Sequence, residues 1–180
     1  MVSSSNFFIQ QTHAKKMTEK EARTPASHDL TSLKFERVRG HDEDIQTLYG
    51  LLHDRRTNIS HAAMPGLEDH RKFVRGHPYR FWYIVKQNSV ALGSVYFHFD
   101  NSIGINMPGQ PSSVIAATLK KALRTHRPLQ GKKSVRSNIF FVNTSPRNRQ
   151  LEVALRSLGW DVLQVSYFCS SHSEKEVKNV

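Results

Sequence analysis

The hydrophobic pattern of this chain changes its period several times, and that change constrains the fold more than any other feature. Residues 42–53 carry acids in the first turn and then apolar residues at i, i+3, i+4 and i+7, which predicts an amphipathic helix. A second, short helix is predicted over 67–75, where Gly76 follows as a favourable stop. After His77-Pro78 the run 80–86 is continuously aromatic and β-branched, which is typical of a buried strand. Both periods in a chain of 180 residues predict a single domain of the α+β (α/β) class.

The remaining segments complete a predicted order of β-α-α-β-β-β-α-β-α-β. Gln87-Asn88-Ser89 is turn chemistry between two strands of a hairpin. Ser145 is predicted to cap the last helix, with Pro146 in its first turn and Gly159 as its stop. The strands are predicted at 33–39, 80–86, 91–99, 103–107, 136–142 and 160–168, and the helices at 42–53, 67–75, 111–125 and 146–158. This order describes an antiparallel meander followed by a strand–helix–strand crossover, which should be parallel and right-handed.

Charge is distributed unevenly along the chain. The net charge is +11, and the stretch from Asn101 to Leu151 contains nine Lys or Arg and no Asp or Glu. That stretch also contains the predicted helix 111–125, whose N-terminus follows a strand and therefore offers free N–H groups and a partial positive charge. The pattern predicts a basin for a phosphate-bearing ligand, formed by Lys120, Lys121, Arg124, Arg127, Lys132, Lys133, Arg136, Arg147 and Arg149.

Composition limits the cellular setting and excludes some kinds of site. The single cysteine, Cys169, allows no intramolecular disulfide and predicts a reducing, cytoplasmic compartment. No apolar run reaches the roughly 18 residues that a membrane span requires, so no membrane partner is expected. The polar residues 1–32 are predicted to be a disordered leader, with Met17 as an alternative start, and residues 170–180 a frayed tail. No metal site is predicted, because the spacings of His53, His61, His70 and His77 fit no common ligand pattern.

Three features of the sequence together resemble the GNAT acyltransferase superfamily. They are the predicted order of elements, a phosphate-type helix start after the fourth strand, and Asn148-x-x-Leu151 followed by Leu158-Gly-Trp. The resemblance covers residues 33–169. The segment Asn58-Ile-Ser-His-Ala-Ala-Met-Pro, with the stretch from Glu68 to Tyr83, is similar to a bacterial subgroup of small-molecule N-acetyltransferases. The resemblance implies a mixed central sheet of six to seven strands flanked by about four helices. It also implies acetyl-CoA as co-substrate and a primary amine of a small molecule as acceptor.

The resemblance implies which residues would hold the cofactor, and it also exposes departures from the family pattern. In the family the turn after the fourth strand reads Gln/Arg-x-x-Gly-x-Gly/Ala, and here Gln110 is followed by Ser113 and Ile115 in place of the glycines. Ile115 is expected to pack inward as core. Leu155 stands where the family commonly has the tyrosine that protonates the leaving thiolate. The implied cofactor-binding residues are Ile105, Asn106, Met107, Gln110, Ser112, Ser113, Val114, Asn143 and Asn148.

Acyl transfer needs a base for the amine, donors for the thioester oxygen and an acid for the thiolate. His98, at the end of the third strand beside Asp100, is the candidate base, and Tyr167 is the candidate acid, with bulk water as the alternative. A bulge in the fourth strand would free backbone N–H groups of 105–107 for the oxygen, whereas an ordinary central strand would not. The candidate acceptor-binding residues are Asn58, His61, Tyr79 and Arg80, while Trp82 is expected in the core and Arg80 has surface exposure as its alternative.

Two other functions remain open at this level. Ile115 and Leu155 are also what a GNAT-like binding module without catalysis would carry. A basic nucleic-acid-binding protein is the weaker alternative, because no aromatic residues are interleaved with the basic run. The sequence leaves the oligomeric state open, with a homodimer among the alternatives.

Overall fold

The computed structural model describes residues 32–55, 57 and 64–166 of the chain. The predicted leader, apart from residue 32, and the predicted tail lie outside these residues. In chain order the elements are β1 (Lys34–Arg37), α1 (Asp42–His53), α2 (Leu67–Arg75), β2 (Phe81–Gln87), β3 (Val90–Phe97), β4 (Ser102–Asn106), α3 (Ser112–Thr125), β5 (Phe141–Val142) and α4 (Arg149–Ser157).

One mixed sheet of five strands organises the described residues, in the spatial order β1-β2-β3-β4-β5. The first four strands form an antiparallel meander, and β5 joins β4 in parallel after the crossover through α3. The predicted hairpin turn is confirmed, since Asn88 and Ser89 both have positive φ, at 48° and 68°, between β2 and β3. Two consecutive residues of this kind are what a tight hairpin turn requires.

The two faces of the sheet are covered by different helices. Val95 and Phe97 of β3 point to one face, where they pack in a buried cluster with residues of α3 and α4. Trp82 and Ile84 of β2 point to the other face and pack with residues of α1 and α2. Side chains alternate along a strand, so one sheet supplies both cores. The sequence expectation of a buried Trp82 is confirmed, at 6% exposure.

The start of α1 illustrates how local chemistry fixes an element. Asp44 in its first turn accepts hydrogen bonds through Oδ2 from the N–H groups of Arg39, Gly40 and His41, at 2.8, 3.1 and 3.3 Å. This carboxylate accepts from backbone N–H groups that would otherwise have no partner where the chain enters the helix, and its negative charge interacts favourably with the helix dipole.

The predicted bounds of α1 and α2 are confirmed, while the start of α4 differs. The helix begins at Arg149, and its cap is Asn148, whose Oδ1 accepts from the N–H of Leu151 at 3.2 Å. Ser145 instead accepts from the N–H of Arg147 at 3.3 Å, in the turn before the helix. The prediction that Ser145 caps α4 and that Pro146 lies in its first turn is therefore wrong, because Asn148 caps closer to the apolar face.

Within the described residues five strands are present, where six to seven were expected. The strand predicted over 136–142 is reduced to Phe141–Val142. Residues 128–138 form a loop instead, in which Lys132 and Arg136 make an isolated bridge and Ser134 has a φ of 58°. Arg136 also donates through Nε to the carbonyl of Gln130, at 2.9 Å, which holds the loop closed on itself.

Asn101 is the side chain that ties this loop to the sheet. It is fully buried, at 0% exposure, with a φ of 73°. Its Nδ2 donates to the carbonyls of Leu129 and Ser137 at 2.9 and 2.7 Å, and its Oδ1 accepts from the N–H of Leu129 at 2.7 Å. Both ends of the loop are thereby fixed beside the start of β4, so the chain rejoins the sheet only at Phe141.

The predicted last strand, 160–168, is also not formed over the part that the structure describes. Residues 161–166 are exposed and have no strand assignment, and Val162, Leu163 and Val165 are 67, 63 and 68% exposed. Residues 167 and 168 lie outside the described residues. An apolar run with strand propensity does not form a strand without an edge to pair with.

We expect the Asn101→Gly substitution to lower the free energy of unfolding by about 3 kcal/mol, measured by urea denaturation. Glycine accepts a positive φ without strain, so the loss reports the three hydrogen bonds of the carboxamide and not the backbone. The matched control is Asn138→Ala in the same loop, where the side chain is exposed. Equal stability of the two variants would contradict the role given to Asn101.

Candidate functional site

A cleft opens where β4 and β5 stop pairing. The two strands are in register only at Ser102 with Phe141 and Ile103 with Val142. After these two pairs β5 ends, whereas β4 continues to Asn106. The carboxyl-end half of β4 therefore has a neighbour on the β3 side alone among the described strands.

The hydrogen-bond alternation of the antiparallel pair shows which peptide groups face the cleft. The N–H of His98 donates to the carbonyl of Ser102 at 2.9 Å, so these two residues form a hydrogen-bonded pair. Such pairs alternate along the ladder, so Gly104 and Asn106 also turn their main-chain groups toward β3. Ile105 lies between them and turns its N–H and carbonyl the other way, beyond the end of β5.

No bulge is needed to free this peptide group. The register of β3 with β4 is continuous from Phe97–Ile103 to Ser94–Asn106. The irregularity in the sheet lies between Val85 and Lys86, where β2 pairs with β3. Of the two alternatives for the fourth strand, the regular pairing of Ile103–Asn106 agrees with the ordinary strand and not with the bulge. The early end of β5 nevertheless leaves the peptide group of Ile105 unpaired on that side.

The cleft has a volume of about 560 Å³, which lies within the range of about 300–1,000 Å³ that is usual for small-molecule sites. None of its lining residues is acidic. The walls are formed by Arg55, Thr57, Tyr96, residues 104–111, residues 143–145, Arg147 and residues 148–151.

Gly104 and Tyr96 together shape the floor of the cleft. The two residues are cross-strand partners. A Cβ atom built on Gly104 would stand 2.0 Å from two ring carbons of Tyr96 and 2.5 Å from its hydroxyl oxygen. The phenol ring therefore lies flat over the glycine, in space that any other residue at 104 would occupy.

Tyr96 belongs to an aromatic cluster that contains two of the residues predicted from sequence. Its ring stacks on that of Tyr79 at a centroid distance of 4.3 Å. The ring of His98 lies 4.8 Å from Tyr79 and 5.4 Å from Tyr96. His98 and Tyr79 are thus brought together, one layer behind the wall that Tyr96 contributes to the cleft.

Burial sets the protonation of this cluster. Desolvation raises the pKa of Tyr79 and of Tyr96 above the usual value for a phenol, so both hydroxyl groups are protonated at neutral pH. Desolvation lowers the pKa of His98, and the neighbouring charge of Asp100 opposes that shift. The cluster therefore offers two phenol donors and a neutral imidazole that can accept a proton.

The N-terminus of α3 stands at the far end of the cleft, where β4 passes through Pro108–Pro111 into the helix. The N–H of Ser112 donates to Oε1 of Gln150 at 3.1 Å. The N–H of Ser113 has no acceptor among the described residues. The start of α3 is therefore capped by a polar side chain from α4.

The structure brings together six of the nine cofactor-binding residues predicted from sequence. Ser112 and Ser113 open α3 but do not line the cleft. Val114 is fully buried in the core. Those that do line the cleft are Ile105, Asn106, Met107, Gln110, Asn143 and Asn148.

Two of these six have structural roles that limit what they can bind. The Nδ2 of Asn106 donates to the carbonyl of Leu51 at 3.0 Å, which joins β4 to α1. The carboxamide of Asn148 caps α4 through Leu151. Ile105 and Gln110 carry no such side-chain bond within the described part of the chain.

The remaining predicted site residues lie elsewhere. Arg80 donates through Nη1 to the carbonyl of Arg127 at 3.1 Å and lies over the ring of Phe81, on the α3 face and away from Tyr79. These contacts agree with the surface alternative for Arg80, and its acceptor-binding role stays a prediction. Asn58, His61 and Tyr167 lie outside the described residues.

The nine basic residues do not form one basin. Arg147 and Arg149 line the cleft, and Arg149 also pairs with Glu152 at 2.8 Å. Lys121 instead donates to the carbonyl of Leu33 and lies over the ring of Phe35. Lys132, Lys133 and Arg136 line the separate cavity of the 128–138 loop. A stretch of sequence without acids therefore does not bring its basic side chains to one place. The side chains on α3 and those in the loop point in different directions.

Two of the three departures from the family pattern, Ile115 and Leu155, belong to the packing of the core. Ile115 is 3% exposed and packs in the α3 and α4 cluster, as expected. Leu155 packs against the same cluster. Neither residue is among those that line the cleft.

Tyr96, Gly104 and Arg55 line the cleft and were not among the residues predicted from sequence. A glycine inside a strand pattern is a signal for close approach, and Ser102-Ile-Gly-Ile-Asn106 contains one. This signal could have directed attention to Tyr96, the residue opposite Gly104 on β3. Nothing local marks Arg55, which follows the end of α1.

The described part of the chain contains no group of three or more His, Cys, Asp or Glu side chains placed to hold a metal ion. It also contains no helix that is both long and apolar enough to span a membrane.

No protein-family model and no curated protein matches this chain. Among solved structures it is similar to a possible acetyltransferase from Clostridium difficile 630, with a TM-score of 0.47 and 10% identity, over 77% of this chain and 97% of that chain. It is also similar to AAC(6')-Iy in complex with the bisubstrate analog CoA-S-monomethyl-acetylneamine, with a TM-score of 0.46 and 10% identity, over 77% of this chain and 97% of that chain. At this identity and TM-score the likeness assigns no activity to the chain.

We expect Gly104→Ala to lower the free energy of unfolding by about 1–3 kcal/mol, because the added methyl group forces Tyr96 out of its position. Urea denaturation measures the loss. The control is Gly50→Ala in α1, where a Cβ meets nothing within 4 Å and where alanine favours the helix. If Gly104→Ala were as stable as Gly50→Ala, the packing of Tyr96 over β4 would be refuted.

Proposed function

We propose that the chain is a GNAT-type N-acyltransferase that transfers an acetyl group from acetyl-CoA to a primary amine of a small molecule. One observation carries this proposal: the peptide group of Ile105 faces a cleft of molecular size because β5 ends at Val142. A free strand edge beside a cleft can bind an extended amide-containing chain as an added strand. The pantetheine arm of CoA is such a chain.

The cleft also suits the charged part of the same substrate. Arg147 and Arg149 line it, and the N–H of Ser113 is free at the start of α3. Cationic side chains and a helix N-terminus favour phosphate groups. The Ser112–Gln150 bond stands in the way of full access, so binding of a diphosphate there would require Gln150 to give up that contact.

The reaction would proceed by attack of the neutral amine on the thioester carbon. The carbonyl oxygen becomes negative as the C–N bond forms, and the N–H of Ile105 is placed to donate to it. The C–S bond then breaks, the amide is formed and the thiolate leaves. One proton moves overall, from the amine nitrogen to the sulfur.

Tyr96 and His98 are the described residues that could move this proton. The Tyr96 phenol lines the cleft over Gly104, next to Ile105, and can donate to the thiolate. It offers an alternative to Tyr167. His98 lies behind Tyr96 and Tyr79, so it would accept the amine proton through one water molecule.

A second candidate function is a GNAT-like binding module without catalysis. Three observations favour it: Ile115 and Leu155 are in the core, and Gln150 occupies the N–H of Ser112. Such a module would bind CoA without turnover in the presence of any amine. Calorimetry and thiol release, measured on the same preparation, separate the two functions.

Acetyl-CoA should bind with a dissociation constant in the micromolar range, about −8 kcal/mol by isothermal titration calorimetry. Gln150→Ala should bind about fivefold more tightly, because the wild type must break the Ser112–Gln150 hydrogen bond, at about 1 kcal/mol, before the phosphates can use that N–H. The control is Gln130→Ala, an exposed glutamine in the 128–138 loop.

Two results would count against this arrangement. The absence of both heat and a rise in melting temperature at about 1 mM acetyl-CoA would refute CoA binding. Unchanged or weaker binding by Gln150→Ala would show that the phosphates do not use the start of α3.

The dependence of kcat on pH should show an acid limb below about pH 6.5, because burial lowers the pKa of His98 and the neutral imidazole persists into mild acid. His98→Ala should lose about 100-fold in kcat and lose this limb. Asp100→Asn should move the limb to still lower pH, since the Asp100 charge raises the pKa of His98. A limb that is unchanged in His98→Ala would exclude His98 as the base.

A further inference from the structure

The wall of the cleft on the α1 side carries Arg55, whose guanidinium has no ion-pair partner among the described residues. Arg55 and Thr57 follow the end of α1 and line the cleft together with Tyr96. The Nε of Arg55 is shielded from solvent and has no hydrogen-bond partner among the residues that the structure describes. No carboxylate of the described residues forms an ion pair with this guanidinium.

The positive charge of Arg55 lies close to the aromatic cluster. It lowers the pKa of both Tyr79 and Tyr96, against the larger effect of burial. A charge that acts on both phenols must lie near the stacked pair, and therefore near the part of the cleft that Tyr96 and Gly104 form. A shielded donor without a partner is costly, and a guanidinium satisfies its donors best with a carboxylate or a phosphate.

No acid of the described residues takes this role. Asp54 directly precedes Arg55, but its Oδ1 lies 3.5 Å from Nδ1 of His53, and the described residues that line the cleft include no Asp or Glu. The sequence from Arg55 to Leu67, which includes the segment outside the described residues, contains none either. An acceptor with several positive charges would therefore meet only like charge here.

Arg55 is also on the opposite side of the sheet from the proposed phosphate site. It follows α1, which packs on the Trp82 and Ile84 face, whereas α3 and α4 pack on the Val95 and Phe97 face. The cleft passes between these faces because β4 and β5 part. The cations at the start of α4, Arg147 and Arg149, and the cation after α1, Arg55, can thus serve two different anionic groups.

We propose that the acceptor is an amine that also carries an anionic group, a carboxylate or a phosphate, and that Arg55 binds this group while the amine reaches the thioester beside Ile105. The inference rests on the proposed acyltransferase function. It makes Arg55 a specificity-determining residue: the ion pair holds the acceptor, and the Tyr79–Tyr96 stack forms the surface on which its carbon chain lies.

The test uses four primary amines in which the same two-carbon linker carries a different second group. They are ethanolamine, β-alanine, O-phosphoethanolamine and ethylenediamine. Thiol release from acetyl-CoA by the full chain gives kcat/KM for each. We expect the carboxylate or the phosphate amine to exceed ethanolamine by at least about tenfold, and ethylenediamine to be the poorest. The better of β-alanine and O-phosphoethanolamine identifies the anion.

Variants at Arg55 tie any preference to this residue. Arg55→Ala should lose about 10- to 100-fold in kcat/KM with the preferred anionic amine, mainly through KM, so that the ratio of kcat/KM for this amine to kcat/KM for ethanolamine falls to about one. Arg55→Lys should recover part of the loss, because it keeps the charge and loses the bidentate geometry. The control Arg124→Ala removes an exposed positive charge from α3 and should change neither value.

The outcomes separate the two proposals. Lack of acetyl-CoA binding by calorimetry overturns both. Acetyl transfer without an anion preference, or with a preference that survives in Arg55→Ala, overturns only the inference about Arg55. If acetyl-CoA binds but none of the amines reacts, each is titrated in calorimetry against the protein saturated with CoA. No heat with either anionic amine at about 10 mM then overturns the inference as well.

Discussion

The carboxamide of Asn101 is the interaction on which the site depends. It lies at the turn from β3 into β4, fully buried and with positive φ, and binds both ends of the 128–138 loop. Because these bonds hold the loop back, the returning chain pairs with β4 over only two residues. The cleft is a consequence of this short pairing, since a longer β5 would use the main-chain groups of Ile105 in the sheet.

A second constraint acts across the sheet, between Gly104 and Tyr96. A missing side chain on β4 gives room for a phenol from β3, and that phenol becomes part of the cleft wall. The same ring stacks on Tyr79, which in turn lies against His98. Packing thus sets both the shape of the cleft and the protonation of its donors, because the burial that creates the stack also raises the pKa of the two phenols.

Charge is divided between the two faces of the sheet. Arg147 and Arg149 lie at the start of α4, and Arg55 follows the end of α1. The ends of β4 and β5, which no longer pair there, lie between these two groups. This division suits two anionic partners that meet at one reacting centre. It also explains why the basic stretch 101–151 does not act as a unit: its members are distributed over α3, the 128–138 loop and the cleft, and several donate to nearby carbonyl groups.

Local pattern was sufficient where neighbours along the chain decide the structure. The bounds of α1 and α2, the hairpin at Asn88 and Ser89, and the buried Trp82 and Ile115 all follow from periodicity and turn chemistry. It was insufficient for β5 and for residues 160–166, because strand propensity along the chain does not decide whether a segment pairs with a sheet edge. Of the site, the main chain of β4 and the position of His98 could be anticipated. Tyr96 could be sought only through the glycine at 104, and no local pattern marks Arg55.

The sequence by itself determined the order of the elements, the antiparallel meander and the uneven distribution of charge. These properties depend on side-chain period and composition, which can be read along the chain. Only the tertiary structure decided where β5 ends, which peptide group faces the cleft and which cations converge on it. Those features arise from contacts between residues far apart in sequence, such as Asn101 with Ser137 and Gly104 with Tyr96, and no local pattern encodes such distances.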